Sequence, residues 1–526
     1  MKVDADVIVV GAGLAGLSAA ALLCDPSLNP NSDSVRSSLA SAKPRVLVLE
    51  ARDRVGGRTY SVPFALDRFG QPLAFPITVD LGGQWIGGSQ NLMYSLLARF
   101  GIQTSPQPDE GTHILYTNGN RMPYVGNISS LNNSPNAHVK VIANSIKSLE
   151  KAVEELDAMA KNIDPARPQA HAEAEALDSI SMDAWLAKKF PEDSVSSPSS
   201  NSNSSSKSDA ATARSMLEWF VRAVFSTEPS AISLYFFLYF LRTAGGYAPL
   251  SDIRGGAQQD RILGGAQQIS ERLADIVGRQ NVFLNCPVSQ IKQYSELDIT
   301  SAANVTGGGE AGIAEVTVED GRKFRAKYVL VALPPALQHR ISFFPALPMD
   351  RMQLALRSTS GCCIKTIVGY KTAWWLEKGL SAECISDQFP IFLTYDDTTP
   401  EGKPAIIGFC VGHQAVARFG AMSPQEREKM VIDFLANMFG EQARTYDLYV
   451  DKNWSDEVYS GGCYVSYLQP GALAAYGQAL RRPFGKVHWA GTETAREWQG
   501  YMHGAVESGY RAAEEIAARL AQRSRL

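Results

Sequence analysis

No charge of either sign dominates this chain. Fifty basic residues face 54 acidic ones, for a net charge of −4 over 526 residues. Without a basic excess there is no electrostatic footprint of a nucleic-acid binder and no polybasic membrane patch. Cysteine is sparse: Cys24, Cys286, Cys362, Cys363, Cys384, Cys410 and Cys463 form an odd, scattered set with no C-x-x-C pair, unlike a secreted disulfide framework. The seven histidines form no H-E-x-x-H and no His/Cys cluster, so no metal site is expected. Long apolar runs are missing too. The stretch Val7 to Cys24 is broken by glycines, and Asp4 and Asp6 precede it where a signal peptide carries positive charge. Ile232 to Leu241 (ISLYFFLYFL) falls short of the about 20 residues that cross a bilayer and reads as a buried helix. No membrane anchor is expected, and the chain should be soluble. What is present, 45% hydrophobic and 20% charged residues, fits a globular protein with a large core.

The apolar β-branched run 6–10 (DVIVV) predicts a buried strand, followed by a helix from Leu14 to Leu23. Residues 45–50 (RVLVLE) predict a second strand. Between them, the Ser/Pro/Asn-rich segment Asp25 to Ala42 reads as an exposed loop. Residues 193–209 (DSVSSPSSNSNSSSKSD) have the composition of a disordered insertion. Helical patterns dominate from about Val139 to Leu241, strands are predicted at 361–370 and 405–411, and Gly504 to Gln522 reads as an amphipathic helix. The final Ser524-Arg525-Leu526 resembles a peroxisomal address, which predicts peroxisomal localisation through an import receptor; a cytoplasmic protein with a frayed basic tail is the other reading.

Gly11-Ala12-Gly13-Leu14-Ala15-Gly16 fits G-x-G-x-x-G between a strand and a helix, the context in which it binds dinucleotides. The first glycine makes the turn and the second lets backbone approach a pyrophosphate. The third permits close helix–strand packing, with the phosphates at the helix N-terminus. Glu50 ends the second strand, where an acid accepts ribose hydroxyls. It lies 34 residues beyond Gly16, and the intervening Ser/Pro/Asn segment accounts for that length. A second glycine pair follows in Glu50-Ala51-Arg52-Asp53-Arg54-Val55-Gly56-Gly57-Arg58-Thr59, then Leu81-Gly82-Gly83-Gln84-Trp85. Near the end stand Ser460-Gly461-Gly462-Cys463-Tyr464, Ala490-Gly491-Thr492-Glu493-Thr494 and Gly500-Tyr501-Met502. A helix starting near Gly504 would aim its positive end at a flavin ring.

Together these strings resemble the flavin-containing monoamine oxidases of the flavin amine oxidase superfamily, as a soluble, fungal-type member. The resemblance runs from the first strand to the last helix. It implies an α/β fold in which a Rossmann-type FAD-binding domain (1–104, 262–354 and 457–526) interleaves with a mixed α+β substrate domain (105–261 and 355–456). Val288, in Asn285-Cys286-Pro287-Val288, resembles the residue whose backbone contacts the adenine. Trp454 is expected near the cofactor.

The resemblance also implies chemistry. Cys463 would carry the thioether to the flavin 8α carbon; the other reading is an inert buried cysteine. Tyr464 and Tyr501 would form the aromatic cage that orients the substrate nitrogen, against two core tyrosines. Lys365, on the strand Cys362 to Val368, shares a face with Cys363 and Ile367. A family lysine here serves oxygen reactivity; the plain alternative is a solvated lysine on an edge strand. Gln258, Leu250, Phe392 and Leu393 are expected in the cavity wall. The implied reaction is oxidation of an amine by FAD and O2 to aldehyde, ammonia and H2O2. Small hydrophobic primary amines are the expected substrates, because no tunnel carboxylates are evident. A polyamine oxidase would want such carboxylates, an L-amino-acid oxidase an arginine facing the cage, and a non-catalytic flavin-binding protein would need none of these residues. A homo-oligomer is compatible with the sequence, which carries no signal for or against it.

Overall fold

The computed structural model describes residues 3–29, 32–39, 43–66, 70, 72–126, 137–191, 209–294, 312–399 and 402–523. The serine-rich segment up to 208 and Ser524-Arg525-Leu526 lie outside the described residues; residue 209 opens the helix Asp209–Phe225.

Two sheets organise the protein. The larger has eight strands and is led by parallel pairing: Val282–Phe283, Val46–Leu49, Ala5–Val10 and Lys323–Val331 lie side by side, with Val487–Trp489 also parallel to Lys323–Val331. Ile313–Val318 and Val288–Tyr294 extend it by antiparallel pairing. Ala5–Val10 and Val46–Leu49 are almost wholly buried, as their continuous apolar runs require when helices cover a parallel sheet. The helices Leu14–Cys24, Gln267–Val277 and Met502–Arg523 share one core with a face of these strands. This is the α/β fold expected, with Rossmann-type strand–turn–helix geometry at its first crossover.

The second sheet has seven strands, in the order Leu448–Asn453, Cys363–Gly369, Ala405–Val411, Leu393–Asp396, Leu380–Ser386, Thr112–Thr117 and Asn120–Val125. Its central strands are buried at every residue, and Cys363–Gly369 carries Lys365 and Thr366 among apolar neighbours. One face packs on the helix Pro424–Phe439 and on Trp374 and Trp375. The other carries Cys363, Ile367 and Phe409 toward Trp454 and Cys463. Helices 137–161 and Asp209–Phe225 pack around Leu234–Ala244, the segment read as a buried helix. Ser233 caps it by accepting from the Phe236 amide at 3.2 Å.

The segment Asp25 to Ala42 departs from the exposed loop expected. It contains the 3-10 turn Pro26–Leu28 and the helix Asp33–Ser38. Leu28, Val35 and Leu39 are buried in the core shared with Met502–Arg523, and the Ser32 hydroxyl donates to Glu514. Three widely spaced apolar residues seat this segment, a signal that its polar composition hides.

Candidate active site

A cavity of about 1210 Å³ runs from the first glycine turn to the second sheet. Gly11 turns the chain at φ 103°, and a Cβ there would sit 3.1 Å from the Ala332 carbonyl. Gly13 faces the cavity, and a Cβ on it would meet nothing closer than 4.0 Å. At Gly16 a Cβ would fall 2.0 Å from the Gly11 carbonyl oxygen, so only glycine lets the helix start this close to the strand. No side chain caps the helix Leu14–Cys24, and its first residues line the cavity. Uncapped N–H groups and the dipole suit that end to a pyrophosphate.

Glu50 is buried beside this turn, accepting from the Ala12 amide at 2.7 Å and the Arg52 amide at 3.0 Å. Arg52 donates to Ser460 at 2.8 Å and Glu457 at 3.2 Å. Val288 lines the cavity at this end, next to Cys286, whose amide donates to the Glu50 carbonyl at 2.7 Å. The chemistry of this half — glycine turns, an uncapped helix, a ribose-level carboxylate — fits FAD.

Farther along, Arg58 joins three segments distant in sequence. Its guanidinium grips Glu493 at 2.7 and 3.1 Å and donates to the Tyr464 carbonyl at 2.9 Å. Burial alone would depress Arg58, but the Glu493 carboxylate overrides it and holds the group firmly cationic. Gly82 lies against the Arg58 carbonyl, where a Cβ would be 2.2 Å away, and the Gly83 amide donates to that same carbonyl at 3.1 Å. Gly491 turns at φ 124°, and the Thr492 hydroxyl donates to the Tyr501 carbonyl at 2.8 Å. Gly500 fits under the Phe240 ring, and Met502 opens the last helix.

Cys463, Tyr464, Tyr501 and Lys365 all line this one cavity. Burial, then the neighbouring Cys363, push the Cys463 thiol well up, while the positive charges of Arg58 and Lys365 oppose them. The Tyr464 ring stands edge-on to Phe409, with centroids 6.2 Å apart, and Tyr501 stands edge-on to Trp498 at 5.1 Å. Lys365 lies on an interior strand, between Ala405–Val411 and Leu448–Asn453, which rules out the edge-strand reading. Its ammonium donates to the Gln84 side-chain oxygen at 2.6 Å and the Gly82 carbonyl at 2.9 Å. Burial lowers its pKa, with Asp397 and Asp80 pulling the other way. Gln84 in turn donates to Asp397 at 2.8 Å, so the lysine sits within a braced polar network.

Trp85 bonds Gln107 at 2.7 Å and packs on Tyr395 and Phe409, and the buried Trp454 donates to the Leu81 carbonyl at 2.8 Å. Gln258, Leu250, Phe392 and Leu393 all reach the cavity wall. Arg254 stands at the rim, paired with Asp109 at 2.8 Å. Arg242 and Glu497 line a separate surface pocket.

Sequence reasoning missed several wall residues. Phe409, on the adjacent strand, is the direct register partner of Lys365, and Tyr395 lies one strand farther on. The cavity also holds carboxylates where none were expected: Glu383, Asp109, Glu110 and Asp252. Strand alternation through Leu380–Ser386 could have flagged Glu383, since it stands among buried residues.

The family model for flavin-containing amine oxidoreductases matches residues 14–517. The chain is 38% identical to the probable flavin-containing monoamine oxidase A of Dictyostelium discoideum, covering 98% of each chain. It is 34% identical to flavin-containing amine oxidase B of Bos taurus, covering 98% of this chain and 86% of that one. Cyclohexylamine oxidase from Brevibacterium oxydans IH-35A shares its structure with a TM-score of 0.78 at 30% identity, over 98% of this chain and 99% of that one. Putrescine oxidase bound to putrescine has a TM-score of 0.78 at 27% identity, with the same coverage. The chain therefore belongs to the flavin-containing amine oxidase family. It is an FAD-dependent enzyme that oxidises small-molecule amines with O2. No helix among the described residues is long and apolar enough to cross a membrane.

Proposed function

We propose that this chain deaminates primary amines oxidatively, yielding aldehyde, ammonia and hydrogen peroxide, with the FAD held through a thioether to Cys463. The observation that carries this reading is the convergence of Cys463, Tyr464, Tyr501 and Lys365 on the cavity that begins at Gly11. FAD, when bound, supplies the hydride acceptor and the route for two electrons to O2. The chain supplies placement. Tyr464 and Tyr501 present ring faces to the amine nitrogen, and Phe409 and Trp498 keep those rings from turning. Lys365 holds a positive charge in place at the Gly82–Gln84 turn, where it favours negative charge developing on oxygen. The apolar walls of Phe240, Phe409 and Trp85 exclude water from the cage. The reacting amine is the free base, so the rate rises with pH through the substrate's own ionisation.

An amino-acid oxidase is the weaker reading: Arg242 lines a different pocket, and Arg254 is engaged by Asp109 at the rim. The domain division 1–104, 262–354 and 457–526 against 105–261 and 355–456 is supported by the two sheets, whose strands fall wholly within the respective sets.

A peroxide assay across benzylamine, alkylamines, spermine and L-amino acids tests the reaction. Acid denaturation tests the bond: yellow cofactor should precipitate with the polypeptide, and its quantitative release would remove Cys463 as the attachment point while leaving the oxidase reading intact.

A further inference from the structure

Behind the cavity wall, separate segments bring a thiol, an imidazole and a phenol together outside the site described above. Cys362 directly precedes the strand Cys363–Gly369. Its neighbour Cys363 points to the cage, with the Tyr464 hydroxyl 3.8 Å from its sulfur. Alternation turns Cys362 to the opposite side, against the core that holds Val416 and Phe419, and it does not line the cavity. Its Sγ stands 3.2 Å from His413 Nδ1. His413 Nε2 stands 3.0 Å from the Tyr467 hydroxyl, to which the Thr227 hydroxyl donates at 3.0 Å.

These are the parts of an activated nucleophile: a thiol, a base within reach of it, and a third group that orients the base. With Nε2 protonated and donating to Tyr467, Nδ1 is left to accept the thiol proton. The hydrogen bond to Cys362 raises the pKa of His413, burial opposes it, and the negative charges of Cys362 and Glu228 add to the rise. Glu228 lies close by: a Cβ on Gly412, next to His413, would be 2.9 Å from its carboxylate. A base held in this way takes up a proton more readily than a free imidazole. Cys362 and His413 are both half-buried, so neither is sealed from solvent. Among the cysteines only Cys24 is similarly open. Its charged neighbours are Lys43 and Asp25, and burial, the largest cause, pushes its thiol up to about 11.

We infer that Cys362 and His413, oriented by Tyr467, form a peroxide-reactive thiol site separate from the flavin cavity. The thiol proton passes to His413 Nδ1 as the sulfur attacks one oxygen of hydrogen peroxide. An S–O bond forms and the O–O bond breaks. The departing hydroxide takes the proton from His413 and leaves as water. Cys362 is thereby oxidised by two electrons to a sulfenic acid, and the peroxide is reduced. Hydrogen peroxide is also what the proposed amine oxidation releases, so the oxidant arises in the same molecule. The site is tied to the cage through backbone. The Cys362 amide donates to the Ser226 carbonyl at 2.8 Å, and the carbonyl of the preceding Gly361 accepts from the Cys463 amide at 3.0 Å.

The test exposes the holoenzyme to hydrogen peroxide, without amine, in the presence of dimedone, which traps sulfenic acids. Peptide mass spectrometry then follows the adduct on each cysteine over time. Leaving the amine out makes the result independent of the oxidase reading. Cys362 should gain the adduct about 10-fold or more faster than Cys24. His413→Gln keeps a polar side chain toward Tyr467 but removes the base. It should slow labelling of Cys362 about 10- to 100-fold and leave Cys24 unchanged. Tyr467→Phe should give a smaller loss, since the imidazole remains and only its orienting partner is gone. Labelling of Cys362 no faster than that of Cys24 in the wild-type protein overturns the site, and this comparison needs no variant to fold. Equal labelling of Cys362 in wild type and His413→Gln overturns it as well.

Discussion

The two ends of the cavity are built from different materials. At the dinucleotide end the recognition elements are backbone: the turns at Gly11, Gly13 and Gly16, the glycines at 56–57, and an uncapped helix start. At the substrate end they are side chains projecting from four strands of the seven-stranded sheet: Lys365, Glu383, Tyr395 and Phe409. At Gly11, Gly16 and Gly56 the first end tolerates no added atom, because carbonyl oxygens already occupy the space a Cβ would need. The second can exchange a side chain and remain folded. A family with this fold can therefore keep one cofactor while its substrate varies.

The largest effect should come from the backbone end. Gly16→Ala places a methyl 2.0 Å from the Gly11 carbonyl, with Val9 next to it. Overpacking of this kind against backbone costs about 3 kcal/mol or more. Purified protein should carry little flavin per polypeptide by absorbance, and a fully loaded variant would show that this end does accept an added atom.

Lys365→Met tests the braced charge at the junction of the two ends. Methionine retains most of the volume but leaves the Gly82 carbonyl and the Gln84 oxygen without their donor. Anaerobic stopped-flow reduction followed by oxygen mixing should show reoxidation slowed on the order of 100-fold, with reduction by amine much less affected. Unchanged reoxidation would reduce Lys365 to a structural cation for Asp80 and Asp397.

At the substrate end the losses should be smaller and confined to turnover. Tyr464→Leu and Tyr501→Leu should retain flavin while kcat/KM falls about 5- to 150-fold. Phenylalanine should be milder at either position, because the ring face survives. Equal losses for Phe and Leu would show that the hydroxyl carries the effect.

The smallest effect concerns stability against pH. Glu383 has a folded pKa raised from 4.5 to about 7, so the native state binds the proton more tightly than the unfolded chain. Its contribution is complete below pH 4.5 and is lost as pH rises through 7. The groups facing it, His113, Tyr124 and Asp109, leave that sign unchanged, since burial is the largest cause. Relative to wild type, Glu383→Gln should therefore gain about 2 kcal/mol between those limits, read as a Tm difference that widens with pH. A constant difference would mean that Glu383 stays ionised in the folded protein.

What the sequence by itself determined was whatever is local along the chain. The strand–turn–helix at Gly11 to Gly16, the acid at Glu50, the buried helix after Ser233 and the motif around Cys463 are each read from adjacent residues, because backbone turns and element periods are set within a few positions. Lys365 was legible as a lysine on an apolar strand, but whether it faced water or Gly82 depended on which strands flanked it. Only the tertiary structure brought Arg58 onto Glu493, 435 residues away, and seated Leu28, Val35 and Leu39 under the last helix. Only it placed Glu383 in the cavity wall: alternation along Leu380–Ser386 marks the acid as one among buried residues, but the cavity it faces is formed by distant segments. Pairings across hundreds of residues are fixed by burial of shared surfaces, a property of the folded chain and not of any window of its sequence.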